Sequence, residues 1–479
     1  MSILSDEVNF LVYRYLQESG YKHSAFTFGK ESHVADSNIN GNLVPPGALI
    51  NIIQKGVQYI EAELCIHDDG TLIDDLENLE PIPLIDAVIP EALAARAANI
   101  LQSAVQSSDP VKDLTIENIE AMDVDAHIEN HLILNGHESE VFFCTWNCAS
   151  RVLATGSSDG MARLWYVGDE TDGKNVKSVQ LDHQLSNLKS MTKDVTAMEW
   201  NPTGNSLASA AIDCIIRIWS LEGQQTITLV GHKGLIFAIK WNKKGSYISS
   251  ASQDKRCLVW DTSSWELKQA FEHHQGPVLD IDWQNNTTFA TCSTDTTVTV
   301  CRIGLDKPVK TFSGHTEEVN CVRWDPSGNL LASCSDDRTV KIWTLKQDNH
   351  IHDLTGHTRE VTLVEWCPIH STNILASASY DASIRLWNIE QDTCLHTLTR
   401  HLEPVDSISF SPDGKYLASA TLDGILNIWS IQSGDFVHTH RSSSGLFQVK
   451  WSPDGTKLAV SQSDKQVKVL DALKLTGTS

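Results

Sequence analysis

The feature that most constrains this chain is a period. Residues 314–344 read GHTEEVNCVRWDPSGNLLASCSDDRTVKIWT. The stretch holds a Gly-His pair, a Trp nine residues after the His, a turn, a small-residue run, an Asp, and a second Trp six residues later. The first aromatic recurs as Trp146, Trp200, Trp241, Trp283, Trp324, Trp366, Phe410 and Trp451, at spacings of 54, 41, 42, 41, 42, 44 and 41. The second recurs as Trp165, Trp219, Trp260, Trp343, Trp387 and Trp429, with Cys301 and Leu470 in its place in the fourth and eighth units. Self-similarity at a fixed period of about 40 residues implies an array of one supersecondary unit. The one long spacing marks an insertion near 168–192, polar and read as an extended loop.

Within each unit the local chemistry is that of strands and tight turns. VKIW and IRLW are rich in β-branched and aromatic residues, which favour strands. DPSG, NPTG and SPDG supply Pro, Asp and Gly for the turn between the first two strands. Four short strands per unit and eight units closing radially would protect edges that one unit alone exposes. The pattern is similar to the WD-repeat family over about residues 130–472. The expected fold is therefore mainly β: an eight-bladed propeller over 131–473, behind a small all-α domain over 1–105 and a polar acidic linker over 106–130.

The WD-repeat resemblance implies a buried hydrogen-bond tetrad in each blade. In the fifth unit it is His315, Ser333, Asp337 and Trp343, with near-copies His232/Ser250/Asp254/Trp260 and His357/Ser377/Asp381/Trp387. The Asp would accept from the His ring and from turn amides. The other ring nitrogen would meet the Ser hydroxyl, and that hydroxyl the indole N–H. Such groups stabilise only when satisfied together. A Ser/His/Asp set also invites a hydrolase reading, but repetition over several blades marks a folding device, and no residue is expected to be catalytic. The eighth unit has Ser442 and Val460 where His and Ser belong, and the second has only His183 nearby. Both blades are expected to be locally weaker. In the pair His273-His274, His274 is the tetrad member, and no metal or other cofactor is expected.

Charge narrows the partners. The formal net charge is −24, and residues 1–130 carry 22 Asp/Glu against 6 Lys/Arg. No basic run exceeds Lys243-Lys244, which disfavours direct nucleic-acid binding. An acidic surface suits Lys/Arg-rich partners. No stretch approaches the length of a membrane span, and the N-terminus lacks a secretory pattern, so an intracellular protein is expected. Eleven cysteines without a CxxC pair, among them Cys214, Cys257, Cys292, Cys321 and Cys334 in apolar runs, read as reduced thiols.

Near the N-terminus, Ser5 is a plausible N-cap. Val8, Leu11, Val12, Tyr15 and Leu16 form one apolar helical face, and Gly20 is a stop. With Tyr21, Ala25, Phe28 and Glu31 this is similar to the LisH motif over 4–36, which implies homo-oligomerisation. A third helix over 47–63 carries Leu49, Ile53 and Val57. Phe10, Leu11, Tyr15, Leu16, Tyr21, Phe28, Leu49, Ile53 and Val57 are the expected oligomerisation face and apolar groove for a partner helix.

The order of LisH, VPPGALINIIQKGVQYIEAEL, LIDAVIP, a polar linker and eight repeats resembles the transducin β-like family, with local matches at DEVNFLVYRYLQESG and NLLASCSDDRTVKIW. The resemblance implies a core subunit of a nuclear corepressor–histone deacetylase complex. It would bind a corepressor segment and basic histone tails, and act with ubiquitin-ligase components through an F-box-like segment near 40–90. A ubiquitin-ligase substrate receptor and a cytoskeletal LisH/WD adaptor are the alternatives. Counting from the tetrads places Glu140, Phe142, Asp194, Phe237, Glu318, Asp336, Glu360, Tyr380, Asp406 and Phe447 on one propeller face, an acidic, aromatic mouth for a basic peptide.

Overall fold

The computed structural model describes residues 5–18, 49, 131–168, 176–183, 194–369 and 372–477. The chain divides into two units, residues 1–120 and 121–479. In the first, helix α1 (Ser5–Glu18) places Phe10, Leu11 and Leu16 half-buried and leaves Tyr15 37% exposed. Leu49 is helical and half-buried. Tyr21, Phe28, Ile53 and Val57 lie outside the described residues.

The second unit is an eight-bladed β-propeller whose described residues form thirty-two strands, β1–β32 in chain order, followed by helix α2 (Ala472–Thr476). Each blade is a four-stranded antiparallel sheet. The innermost strands are β2 (Val141–Trp146), β6 (Val195–Trp200), β10 (Ile236–Trp241), β14 (Val278–Trp283), β18 (Val319–Trp324), β22 (Val361–Trp366), β26 (Val405–Phe410) and β30 (Leu446–Trp451). The ring closes with an exchange. β1 (Leu132–Asn135) pairs with β32 (Gln466–Asp471) as the outer strand of the last blade, Leu134 opposite Val467. The two ends of the propeller sequence thus share one sheet, which removes the edge β32 would otherwise expose.

Apolar alternation puts the core between blades. Cys321, Ala332 and Ile342 of blade 5 pack with Val361, Val364 and Trp366 of blade 6. Leu134, Val467 and Val469 of blade 8 pack with Val141, Trp146 and Trp165 of blade 1. Cys257, Cys292, Cys321 and Cys334 are buried free thiols in these layers, and Cys214 is half-buried.

The recurring first aromatic has a role that the period alone did not reveal. Its indole N–H crosses the seam to a carbonyl of the preceding blade: Trp146 to Lys450 at 3.0 Å, Trp283 to Lys240 at 3.1 Å, Trp366 to Arg323 at 2.9 Å and Trp451 to Ser409 at 3.1 Å. Trp324 is the exception, its Nε1 buried without a partner.

The polar stretch over 168–192 is not all loop. Ser178–Asp182 forms β5, the outer strand of blade 1, because Leu181 alternates inward and is fully buried. That strand delivers His183 to the tetrad position of blade 2.

Candidate peptide-binding face of the propeller

The tetrads orient the turns of this face. In blade 5, His315 Nδ1 lies 2.8 Å from Asp337 Oδ2 and Nε2 2.7 Å from Ser333 Oγ, and Trp343 donates to Ser333 Oγ at 2.7 Å. Asp337 also accepts the backbone N–H groups of Thr316 and Thr339, so one side chain ties two turns together. Burial alone would raise its pKa, but the His315 ring and these donors hold the carboxyl well below the ordinary carboxylate range. Blade 6 repeats every link: His357 to Asp381 at 2.9 Å, His357 to Ser377 at 2.8 Å, and Trp387 to Ser377 at 2.8 Å.

Blade 3 departs from the expected four-residue chain. His232 meets Asp254 at 2.9 Å and Ser250 at 2.7 Å, but Trp260 Nε1 is buried without a partner. The Ser250 hydroxyl sits between the His232 ring and the Leu258 carbonyl, outside the indole's reach. Two further sets use threonine where serine was sought. In blade 1 the set is His137, Thr155, Asp159 and Trp165; in blade 4, His274 meets Asp295 and Thr291. Either hydroxyl serves, and the recurring offset from the His was the available signal. In blade 2, His183 reaches Ser209 at 2.7 Å and the Gly160 carbonyl at 3.1 Å, while Asp213 pairs with Arg217 instead. In blade 8, Ser442 takes hydrogen bonds from Gln462 and Lys468.

Each tetrad holds a turn beside the entry to the next innermost strand. The carbonyls of Glu140, Asp194, Glu318 and Glu360 accept N–H groups from Ser158, Ile212, Asp336 and Tyr380 at 3.0, 3.1, 3.0 and 2.9 Å. Glu318 and Asp336 therefore share one site on the rim, as do Glu360 and Tyr380. Asp336 is partly occupied, accepting from Asn320 Nδ2 at 2.7 Å. Phe237 and Tyr380 are 36% and 41% exposed. Two apolar residues of this face were missed, Leu402 and Leu422, which are 88% and 51% exposed. Leu422 stands immediately before Asp423, the position that singled out Asp336 and Tyr380, so its signal was present.

Phe142, Asp406 and Phe447 turn into the central channel, a cavity of about 580 Å³. The two phenyl rings meet edge to face, 4.9 Å between centroids. Below them the wall is of mixed charge, where an acidic and aromatic mouth was expected. Lys240, Asp282, Arg323, Glu365 and Lys450 line it, each immediately preceding a first aromatic. Alternation of sign lets charges pair across blades, as Lys240 does with Glu199 at 2.9 Å. The acids also accept backbone N–H groups from the next blade, Glu199 from Trp241 at 2.6 Å and Asp282 from Trp324 at 2.7 Å. Burial pushes the Glu199 and Asp282 carboxyls upward, and the Glu199 charge pushes Lys240 upward.

The mouth differs in that three of its carboxylate oxygens lack a hydrogen-bond donor. Asp194 Oδ1, Glu360 Oε2 and Asp406 Oδ2 are buried without a hydrogen-bond partner; Arg359 Nε stands 3.7 Å from Glu360 as an ion pair. Burial pushes the Asp406 carboxyl up to about 6, with Asp423 and Glu403 adding to it. Buried acceptors of this kind call for a donor from outside.

Comparison with known proteins places this architecture. A LisH model matches residues 6–32, and the WD domain, G-beta repeat model matches 129–166, 183–220 and 223–261. A model of the IFT122 first beta-propeller matches 277–477. The crystal structure of the C-terminal WD40 domain of Sif2 superposes with a TM-score of 0.64 at 24% identity, covering 71% of this chain and 98% of that one, a likeness of fold alone. The F-box-like/WD repeat-containing protein TBL1Y of Homo sapiens is 47% identical, over 98% of this chain and all of its own length. The F-box-like/WD repeat-containing protein TBL1X of Homo sapiens is 50% identical, over 99% of this chain and 91% of its own length. With that identity spread over LisH segment and propeller alike, the chain belongs to the transducin β-like family of F-box-like/WD repeat-containing proteins.

Proposed function

We propose that this chain is a non-catalytic scaffold subunit of a nuclear corepressor–histone deacetylase complex. In this reading the N-terminal module forms the oligomer and grips a corepressor segment, while the propeller holds basic histone tails and aids ubiquitin-dependent cofactor exchange. The observation that carries it is the channel mouth, where carboxyl oxygens of Asp194, Glu360 and Asp406 are buried without donors. Lys and Arg supply charged donors, and their stems suit the Phe142 and Phe447 rings. The net charge of −24 favours the same class of partner. Family membership supports the setting in transcriptional regulation.

The test is a histone-tail pulldown with the Glu318→Lys/Glu360→Lys double variant. Loss of two rim charges, with two of opposite sign gained, should weaken capture about tenfold or more. Capture equal to wild type would remove the proposal for this face. Affinity purification with mass spectrometry tests the setting, and corepressor and deacetylase subunits are the expected companions. A second reading, a substrate receptor of a ubiquitin ligase, is favoured by the F-box-like designation that TBL1X and TBL1Y carry. Recovery of cullin-type partners without deacetylase would replace the first reading with the second.

A further inference from the structure

We infer that the channel mouth contains a pocket for one lysine side chain, formed by Asp406, Phe142 and Phe447, which takes an ammonium in preference to a guanidinium and accepts it with up to two N-methyl groups. The inference rests on the reading above and specifies the chemistry that one subsite selects.

The three residues hold the same place, second in the innermost strand, in blades 7, 8 and 1. Those strands pack side by side, β26 against β30 and β30 against β2. All three side chains line the same cavity. The phenyl rings stand at 77° to each other, so the pair offers a face and an edge to one occupant. The Leu422 backbone N–H supports the Asp406 carboxyl from one side, while Oδ2 is buried without a partner.

One open carboxylate oxygen beside an aromatic face decides the ligand chemistry. A guanidinium is best held by two parallel N–H···O bonds, and here only one acceptor is free. An ammonium is a compact point charge that one oxygen and one ring face can hold. One or two N-methyl groups keep that charge and an N–H for Asp406 Oδ2, and add apolar surface for the rings. Acetylation removes the charge and leaves Asp406 Oδ2 buried and unpaired. The charged groups around Asp406 reinforce the preference for a cation. Glu403 precedes β26, and Asp423 lies in the turn after β27 (Tyr416–Thr421). Lys450 on β30 and Glu365 on β22 line the same cavity and offset one another.

The experiment titrates the full-length chain with a labelled synthetic histone-tail peptide by fluorescence anisotropy. Copies of the peptide carry arginine, acetyl-lysine or dimethyl-lysine at one lysine at a time. At one position arginine and acetyl-lysine should each weaken binding about tenfold, while dimethyl-lysine stays within about threefold of lysine. Binding should strengthen as the pH rises through about 6, as Asp406 loses its proton. Asp406→Asn should abolish both the positional penalty and that pH dependence. Phe447→Leu, a volume-tolerant change, should selectively weaken the dimethylated peptide. Equal tolerance of arginine at every position, or an Asp406→Asn variant with the wild-type penalty and pH profile, overturns the pocket alone. If the parent peptide fails to bind the wild-type chain, the histone-tail reading itself falls.

Discussion

His183 and His401 show what burial does at single residues. Both rings are buried, and each meets a serine hydroxyl at 2.7 Å. Neither has a direct carboxylate partner: His183 turns to the Gly160 carbonyl, and His401 reaches Asp423 only through the Thr421 hydroxyl. Burial, in first place, pushes both imidazoles down to about 4. The unfolded chain takes up those protons near pH 6.5, where the folded chain does not. The stability they confer is present above that pH and is lost as the pH falls toward 4, at about 1.4 kcal/mol per pH unit for each ring. Asp254 and Asp381 are held down to about 2 despite burial, mainly by the Lys233 N–H in one case and the Ser383 hydroxyl in the other. Their contribution is lost only below the ordinary carboxylate range. The melting temperature should therefore fall between pH 6.5 and 4.5, and His401→Gln should make that fall shallower. A variant with the wild-type slope would refute the assignment of that proton. The offset from His401 to Ser419 was a signal left unread in the sequence; His183 was visible as the histidine nearest the second unit, but its place on Ser209 was not, because the strand before it looked like loop.

At the level of elements, the seams between blades carry a test of their own. Trp366 sends its indole N–H to the Arg323 carbonyl, whereas Trp324 Nε1 is buried without a partner. Phe410 already holds the equivalent position in blade 7. Trp→Phe removes much the same apolar area at either site, so the difference between the two variants reports the hydrogen bond. Trp366→Phe should cost about 1–2 kcal/mol more than Trp324→Phe. The denaturant midpoint of the propeller measures this, and a larger loss at Trp324 would contradict the seam geometry. The period made both residues conspicuous. The partner of Trp366 lies in the preceding blade, 43 residues back, and no local pattern names a carbonyl at that distance or its lack at Trp324.

For the molecule as a whole, closure rests on four residues. β1 lies far in sequence from the strands it completes, and Leu134, 1% exposed, packs with Val467 and Trp165 across the seam of the last and first blades. Leu134→Asp would bury an unpaired carboxylate there, at a cost on the order of 3–5 kcal/mol. Loss of β1 would expose the edge of β32 to other chains. The expected outcome is a lower melting temperature together with higher-order species on size exclusion. The exposed neighbour Asn135→Asp should leave both unchanged. A Leu134→Asp propeller that stays monodisperse and melts like wild type would show that the ring holds without its closing strand.

The amino-acid sequence by itself determined the blade count, the strand chemistry, the tetrads of blades 5 and 6 and the acid-rich rim, because each depends on spacing within one repeat. Only the tertiary structure decided that β1 closes the ring and that Asp406, Phe142 and Phe447 line one cavity at the mouth. Those facts are set by which blades become neighbours when the circle shuts. That adjacency brings residues some 300 positions apart, such as Phe142 and Phe447, into ring contact, and a linear period carries no record of it.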